Sequence, residues 1–143
     1  MRIIVKVFLD TNIVIDFIAG RQPFAKEATA LFQLADNHEI ELLVSDLSMV
    51  NMAYILRRLN YPMSDIYDAF DEMRPLLTIT SIGPAAIDNC LRRRAEDFED
   101  MVQYFSALQA GADYVVTRNK KDFPENKEMI VTPREFLDYL NIL

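Results

Sequence analysis

The apolar positions of this chain change their period again and again, and each change marks an element. Residues 3–9 form a β-branched run that reads as a buried strand. The run stops on Asp10. From Thr11 to Ala19 the apolar spacing is that of a helix, ended by Gly20. Phe24, Ala28, Leu31, Phe32 and Ala35 then recur at helical intervals. Residues 40–45, "IELLVS", predict a second strand, and residues 47–59 a helix that breaks at Tyr61-Pro62. Asp46 is a candidate cap for that helix, and Ser64 for the next one, "DIYDAFDEMRP". "LLTITSI" reads as a third strand. Gly83-Pro84 starts a helix that runs to the basic turn Arg92 to Arg94, where the helix dipole favours cations. Phe98, Met101, Val102, Phe105 and Leu108 outline an amphipathic helix closed by Gly111. "DYVVT" and "EMIVT" are the fourth and fifth strands, and Pro133 opens a terminal helix, "REFLDYL".

Strands and helices alternate throughout. That order implies an α/β fold of three layers, α/β/α, with a central, mostly parallel five-stranded sheet. The length of 143 residues suits one domain over residues 1–143, with no repeat or low-complexity stretch to divide it. In such sheets ligands bind beyond the carboxyl ends of the strands, so the residues just after each strand carry the interest.

Composition narrows the chemistry. A net charge of −7 argues against a surface that grips nucleic acid nonspecifically, yet it agrees with a cluster of acids built for a divalent cation. One cysteine, Cys90, forms no internal disulfide and fits a reducing, cytoplasmic setting. The N-terminal apolar run is too short for a signal peptide, and no apolar segment reaches the roughly 20 residues that span a bilayer, so no membrane association is expected. There is no Gly-rich phosphate loop, no GxSxG elbow and no Cys–His pair, and the lone histidine, His38, lies in a polar turn.

Acids gather at the strand ends. Asp10 follows the first strand, Asp46 the second, and Thr117, Arg118, Asn119 and Asp122 the fourth. The helix before the fourth strand opens with "EDFED", where Asp97 and Asp100, three apart on a helix, share a face. Glu96 and Glu99 read as solvent-facing acids of a first turn. Asp10 alone could be a helix cap or half of a metal site. Carboxylates from separate segments at one sheet edge repel unless a cation neutralises them, and Mg²⁺ or Mn²⁺ takes oxygen ligands plus water. Metal-assisted hydrolysis of a phosphodiester is the chemistry such a site supports. Arg118 and the pair Lys120-Lys121 are candidates for phosphate contact.

The segments "FLDTNIVIDFI", "DFEDMVQYFSALQAGADYVVTRNKKDF" and "VTPREFLDYL" together resemble the PIN-domain family across essentially the whole chain. Many bacterial members are Mg²⁺-dependent ribonuclease toxins of the VapC type, each inhibited by an antitoxin protein. The resemblance implies that Asp10 and Asp100 match the first and third metal-ligand acids. It places Asn119 where members carry a fourth acid or an asparagine, and Thr117 at a nearby hydroxyl position. Asp122 is a nearby acid placed to act through water in such a site. Where the family usually has a glutamate after the second strand, this chain has Asn51, and Asp97 is the candidate to compensate.

The expected function is thus a Mg²⁺- or Mn²⁺-dependent RNA endonuclease, with Asp10, Asp97 and Asp100 catalytic. The cation ligands would come from Asp10, Asn51, Asp97, Asp100 and Asn119, and substrate contacts from Thr117, Arg118 and Asn119. The expected partners are RNA, an antitoxin and a second copy of the chain, with Met49, Met52 and Tyr54 as candidates for a partner groove. A catalytically weakened PIN-like module that binds RNA or protein is the alternative, because Asn51 brings no charge.

Overall fold

The computed structural model describes residues 3–123 and 128–140, the side chain of Asp122 apart. Its centre is a five-stranded sheet in the order β3-β2-β1-β4-β5, where β1 is Val5–Leu9, β2 Ile40–Ser45, β3 Leu77–Thr80, β4 Tyr114–Val116 and β5 Ile130–Val131. Every pairing between neighbours is parallel, so all described strands end at one edge. The helices are α1 (Thr11–Ala19), α2 (Ala25–Asp36), α3 (Asp46–Arg58), α4 (Met63–Met73), α5 (Gly83–Arg93), α6 (Phe98–Gln109) and α7 (Pro133–Tyr139).

Successive strand residues point to opposite faces, and the two halves of the core follow that alternation. Val7 and Leu9 of β1, Leu42 and Val44 of β2, Val116 of β4 and Val131 of β5 join one cluster with α1, α2 and α7. Phe8, Leu43, Val115 and Ile130 face the other way, against Cys90 of α5 and Met101, Val102 and Ala107 of α6. Three layers result, as the alternation of elements implies. Phe17 of α1 stacks on Phe32 of α2 with ring centroids 4.0 Å apart, which fixes these two helices against each other. Among the described residues no helix is long and apolar enough to cross a membrane.

Element boundaries depart from the sequence reading where backbone donors found a nearer partner. The cap of α3 is Ser45, whose Oγ accepts the Ser48 N–H at 3.0 Å; Asp46 already lies in the first turn. Asp46 accepts its neighbour's Leu47 N–H and the Ile82 N–H instead. Ser64 also sits inside its helix, because α4 starts two residues earlier than a Ser64 cap implies, after Pro62. Asp97 caps α6 and therefore precedes the helix rather than sharing its face with Asp100. Met52, a candidate partner contact, is fully buried in the core.

The terminal helix has the strongest cap. Thr132 Oγ1 accepts the Glu135 N–H, and Glu135 returns a bond to the Thr132 N–H. That backbone bond, followed by the hydrogen bond from Lys120 at 3.0 Å, holds the Glu135 carboxyl below the usual carboxylate range. A carboxyl lowered by folding stabilises the fold above its unfolded value, about pH 4.3. This contribution fades as pH falls through the lowered folded value. Glu135→Gln should therefore lower stability at neutral pH and flatten the acid limb of a pH-dependent urea denaturation series.

Candidate metal-dependent active site

At the carboxyl edge of the sheet a cleft opens, lined by Asp10, Thr11, Asn12, Ile55, Asp97, Glu99, Asp100 and Asn119. Its walls come from the end of β1 and start of α1, from α3, from the start of α6, and from the turn after β4. Four carboxylates thus surround one opening.

Asp10 occupies the N-cap position of α1, yet its side chain makes no capping bond. Its Oδ2 accepts from Thr117 Oγ1 at 2.9 Å instead, while its N–H donates to Val116 at 3.0 Å. The two bonds stitch the ends of β1 and β4 together and turn the carboxylate toward the cleft. Thr117 is fully buried, and its Oγ1 also accepts the Asn119 N–H at 3.1 Å, which bends the following turn so that Asn119 reaches the lining. Asp97 uses Oδ1 to cap α6 through the Asp100 N–H at 2.9 Å. Capping and cleft lining coincide in this residue.

Glu99, read from the sequence as solvent-facing, is exposed but lines the cleft. Asn51 reaches across from α3 and donates Nδ2 to Glu99 Oε1 at 3.4 Å. Burial, then the nearby charges of Asp10 and Asp97, push the Glu99 carboxyl up, and the Asn51 bond offsets part of the rise. So Asn51 lies behind Glu99 and supports an acid carried by the opposite helix. The spacing of "EDFED" shows two acids in a first turn; only the packing of α6 against its neighbours shows which of them meets Asp10.

Thr117 and Arg118 lie outside the cleft lining. Arg118 turns to Asp16, an acid buried on α1 with no exposed surface. Arg21 Nε meets Asp16 Oδ1 at 2.8 Å, and Arg118 Nε lies 3.0 Å from Oδ2 without its N–H aligned on that oxygen. The Arg118 guanidinium also stacks 3.8 Å above the Phe24 ring. Lys120 is paired with Glu135. The turn after β4 is thereby anchored to α1 and α7 on either side of Asn119. Asp16 is legible as the one acid inside the apolar stretch "NIVIDFIAG". Gly20 closes α1 at φ 62°, a conformation that favours glycine, and bonds the Asp16 carbonyl. The side chain of Asp122 falls outside the described residues. Cys90 is buried among α5 and α6, and burial pushes its thiol up, which suits packing rather than nucleophilic work.

The donor set fits a hard cation: carboxylate and amide oxygens with no imidazole or thiolate. Among the described residues no group of three or more His, Cys, Asp or Glu side chains is arranged to hold an ion as it stands. The acids share a cleft without converging on one point.

A family model described as "PIN domain" matches residues 6–121. The chain belongs to the PIN-domain family. It is similar to Ribonuclease VapC1 of Aquifex aeolicus, 23% identical over 145 residues that span 96% of this chain and 97% of that protein. The fold is shared with FitAcB from Neisseria gonorrhoeae, at a TM-score of 0.67 and 17% identity over 90% of this chain and 98% of that one. A toxin–antitoxin complex from Klebsiella pneumoniae gives a TM-score of 0.60 at 22% identity, covering 89% of this chain and 97% of that one. VapC20 of Mycobacterium tuberculosis, described as a sarcin-ricin loop cleaving toxin, gives 0.60 at 10% identity, covering 76% and 86%.

Two outcomes follow from the charges. Asp16→Asn leaves two arginines without their buried counter-ion and should cost about 3–5 kcal/mol in urea unfolding. Glu99 titrates with the opposite sign to Glu135. A carboxyl raised by folding stabilises the fold while protonated and loses that contribution as pH rises through its raised value. Glu99→Gln should therefore raise the thermal midpoint of the metal-free protein at neutral pH, with a smaller gain in high salt.

Proposed function

We propose that this protein is a Mg²⁺- or Mn²⁺-dependent endoribonuclease, the toxin of a toxin–antitoxin pair. The observation that carries the reading is the meeting of Asp10, Asp97, Glu99, Asp100 and Asn119, from three separate segments, around one cleft at the carboxyl edge of a parallel sheet. The names of the similar proteins, a ribonuclease and a toxin–antitoxin complex, support the substrate class and the partner.

Asp10, Asp100 and Asn119 would hold the cation, with the second carboxylate oxygen of Asp97 beside them. When bound, the ion polarises the phosphoryl oxygens and acidifies water at the reacting phosphorus. Thr117 keeps the Asp10 carboxylate turned to the cleft. Glu99 lines the cleft beside these acids, where it would take the proton released as water attacks, and Asn51 donates to its carboxylate. The RNA backbone needs positive charge that these acids lack. Arg118 and Lys120 are engaged in ion pairs. Arg94, exposed at the end of α5 and three residues before Asp97, is the candidate source of charge for the phosphates flanking the scissile bond.

An antitoxin would cover a surface of the toxin, and α3 presents Val50 and Tyr54, both exposed, one turn apart. A homodimer and a cytoplasmic location complete the proposal, as does a single domain over the whole chain. The alternative, a PIN module that binds RNA without cutting it, draws on the uncharged Asn51 and on the open arrangement of the acids.

Cleavage of structured RNA with Mn²⁺ decides between them. Asp10→Asn and Asp100→Asn should each lower the single-turnover rate by about 10²–10³-fold, the loss of a few kcal/mol of transition-state stabilisation. Unchanged cleavage in both variants would remove this site from the reaction. A wild-type protein that binds RNA but shows neither cleavage nor a saturable Mn²⁺ site by calorimetry establishes the binding module.

A further inference from the structure

Three of the segments around the cleft are joined beneath it by buried hydrogen bonds. Ser45 Oγ donates to Gln103 Oε1 at 2.7 Å, Gln103 Nε2 donates to Ser48 Oγ at 2.9 Å, and Ser48 Oγ lies 2.7 Å from Thr11 Oγ1. Thr11, the most exposed of the four, is only 4% exposed. The chain of bonds runs from the end of β2, through α6, to α3 and on to α1.

Burial gives this chain a direction. Ser45 Oγ already accepts the Ser48 N–H as the cap of α3, so its own proton needs an acceptor. Gln103 Oε1 is that acceptor. The amide is then turned so that its NH₂ faces Ser48. Ser48 Oγ accepts from Gln103 and is buried, so its own proton needs an acceptor too; Thr11 Oγ1, 2.7 Å away, meets that need when Ser48 is the donor of this pair. The Thr11 hydroxyl proton remains for the cleft, which Thr11 lines next to Asp10.

We infer that Gln103 is a positioning residue: through Ser48 it fixes the Thr11 hydroxyl as a hydrogen-bond donor toward a phosphoryl oxygen of the bound RNA. A phosphate entering a cleft walled by four carboxylates meets mostly acceptors, and a directed hydroxyl gives it a donor without adding a cation that would compete with the metal. Glutamine suits the position because it must accept and donate at once; a carboxylate only accepts, and methionine does neither with strength. Gln103 is also one turn after Asp100 on α6, so the same bonds fix the rotation of the helix that carries Asp97, Glu99 and Asp100 to the cleft. This inference rests on the nuclease reading of the cleft.

The test compares Gln103→Met, Thr11→Val and the double variant in single-turnover RNA cleavage, with Mn²⁺ binding followed by calorimetry. Each single variant should cut about 10–100-fold more slowly, as removal of an outer-shell partner does. Mn²⁺ affinity should stay at the wild-type level in Thr11→Val, because the lost hydroxyl serves the RNA and not the cation. The double variant should be no slower than the slower single one, because both changes cut one chain. If Gln103 served only to hold the fold, its replacement would lower the thermal midpoint, leave the rate per folded molecule unchanged and add to Thr11→Val; that result overturns the inference. Should Gln103→Met fail to fold, Ser48→Ala cuts the same chain at its middle and must reproduce the loss, and normal cleavage by Ser48→Ala overturns it. A wild type that neither cleaves RNA nor binds Mn²⁺ overturns the nuclease reading and this inference together, whereas an active wild type with a fully active Thr11→Val overturns this inference alone.

Discussion

Parallel pairing is the constraint on which the rest depends. Because every described strand runs the same way, β1, β2 and β4 deliver Asp10, Ser45 and Thr117 to one edge. The start of α6 lies at the same edge, where its cap and first turn bring Asp97, Glu99 and Asp100 to the cleft. Antiparallel strands would have scattered these groups over two ends of the molecule. The price of convergence is mutual repulsion among acids, visible in the raised carboxyl of Glu99.

Uncharged polar groups make that crowding tolerable. Thr117 gives a hydroxyl to Asp10, Asn51 gives an amide to Glu99, and the α6 backbone gives an N–H to Asp97. Each donor steadies one carboxylate without placing a full positive charge in the cleft. The full charges stand to the side: Arg21 and Arg118 on Asp16, and Lys120 on Glu135. Separating neutral support within the cleft from ionic anchoring around it leaves the negative potential available to a cation.

Most of the fold was legible because its signals are local. The apolar period of residues 11–19 and 40–45 gives α1 and β2 with their observed limits, and Gly20 marks its helix end. Caps were less legible, since Asp46 and Ser64 are good caps by type and lost the position to Ser45 and Pro62 through shifts of one and two residues that type does not encode. In the site, Asp10, Asp97, Asp100 and Asn119 could be found from their places after strands and before a helix. Glu99, Asp16 and Gln103 could not be placed in the same way. Each acts through a partner far along the chain, Asn51, Arg118 and Ser48 respectively, and a contact of that span has no period in the sequence. A polar residue inside an apolar helical run is the signal that Asp16 and Gln103 share, and it tells that a partner exists without saying which.

The buried Asp16 has a bearing on how such a chain changes over generations. Its two arginines come from residues 21 and 118, and each is tolerable where it lies only because the acid is there. Replacing either arginine leaves the buried acid with a single counter-ion, and replacing Asp16 leaves two half-buried arginines with none, whereas replacing all three with apolar groups of similar volume is close to neutral. The three side chains are therefore energetically coupled. Drift at these positions has to pass through intermediates less stable than either end state, and that valley keeps the turn bearing Asn119 in place even where no selection acts on catalysis.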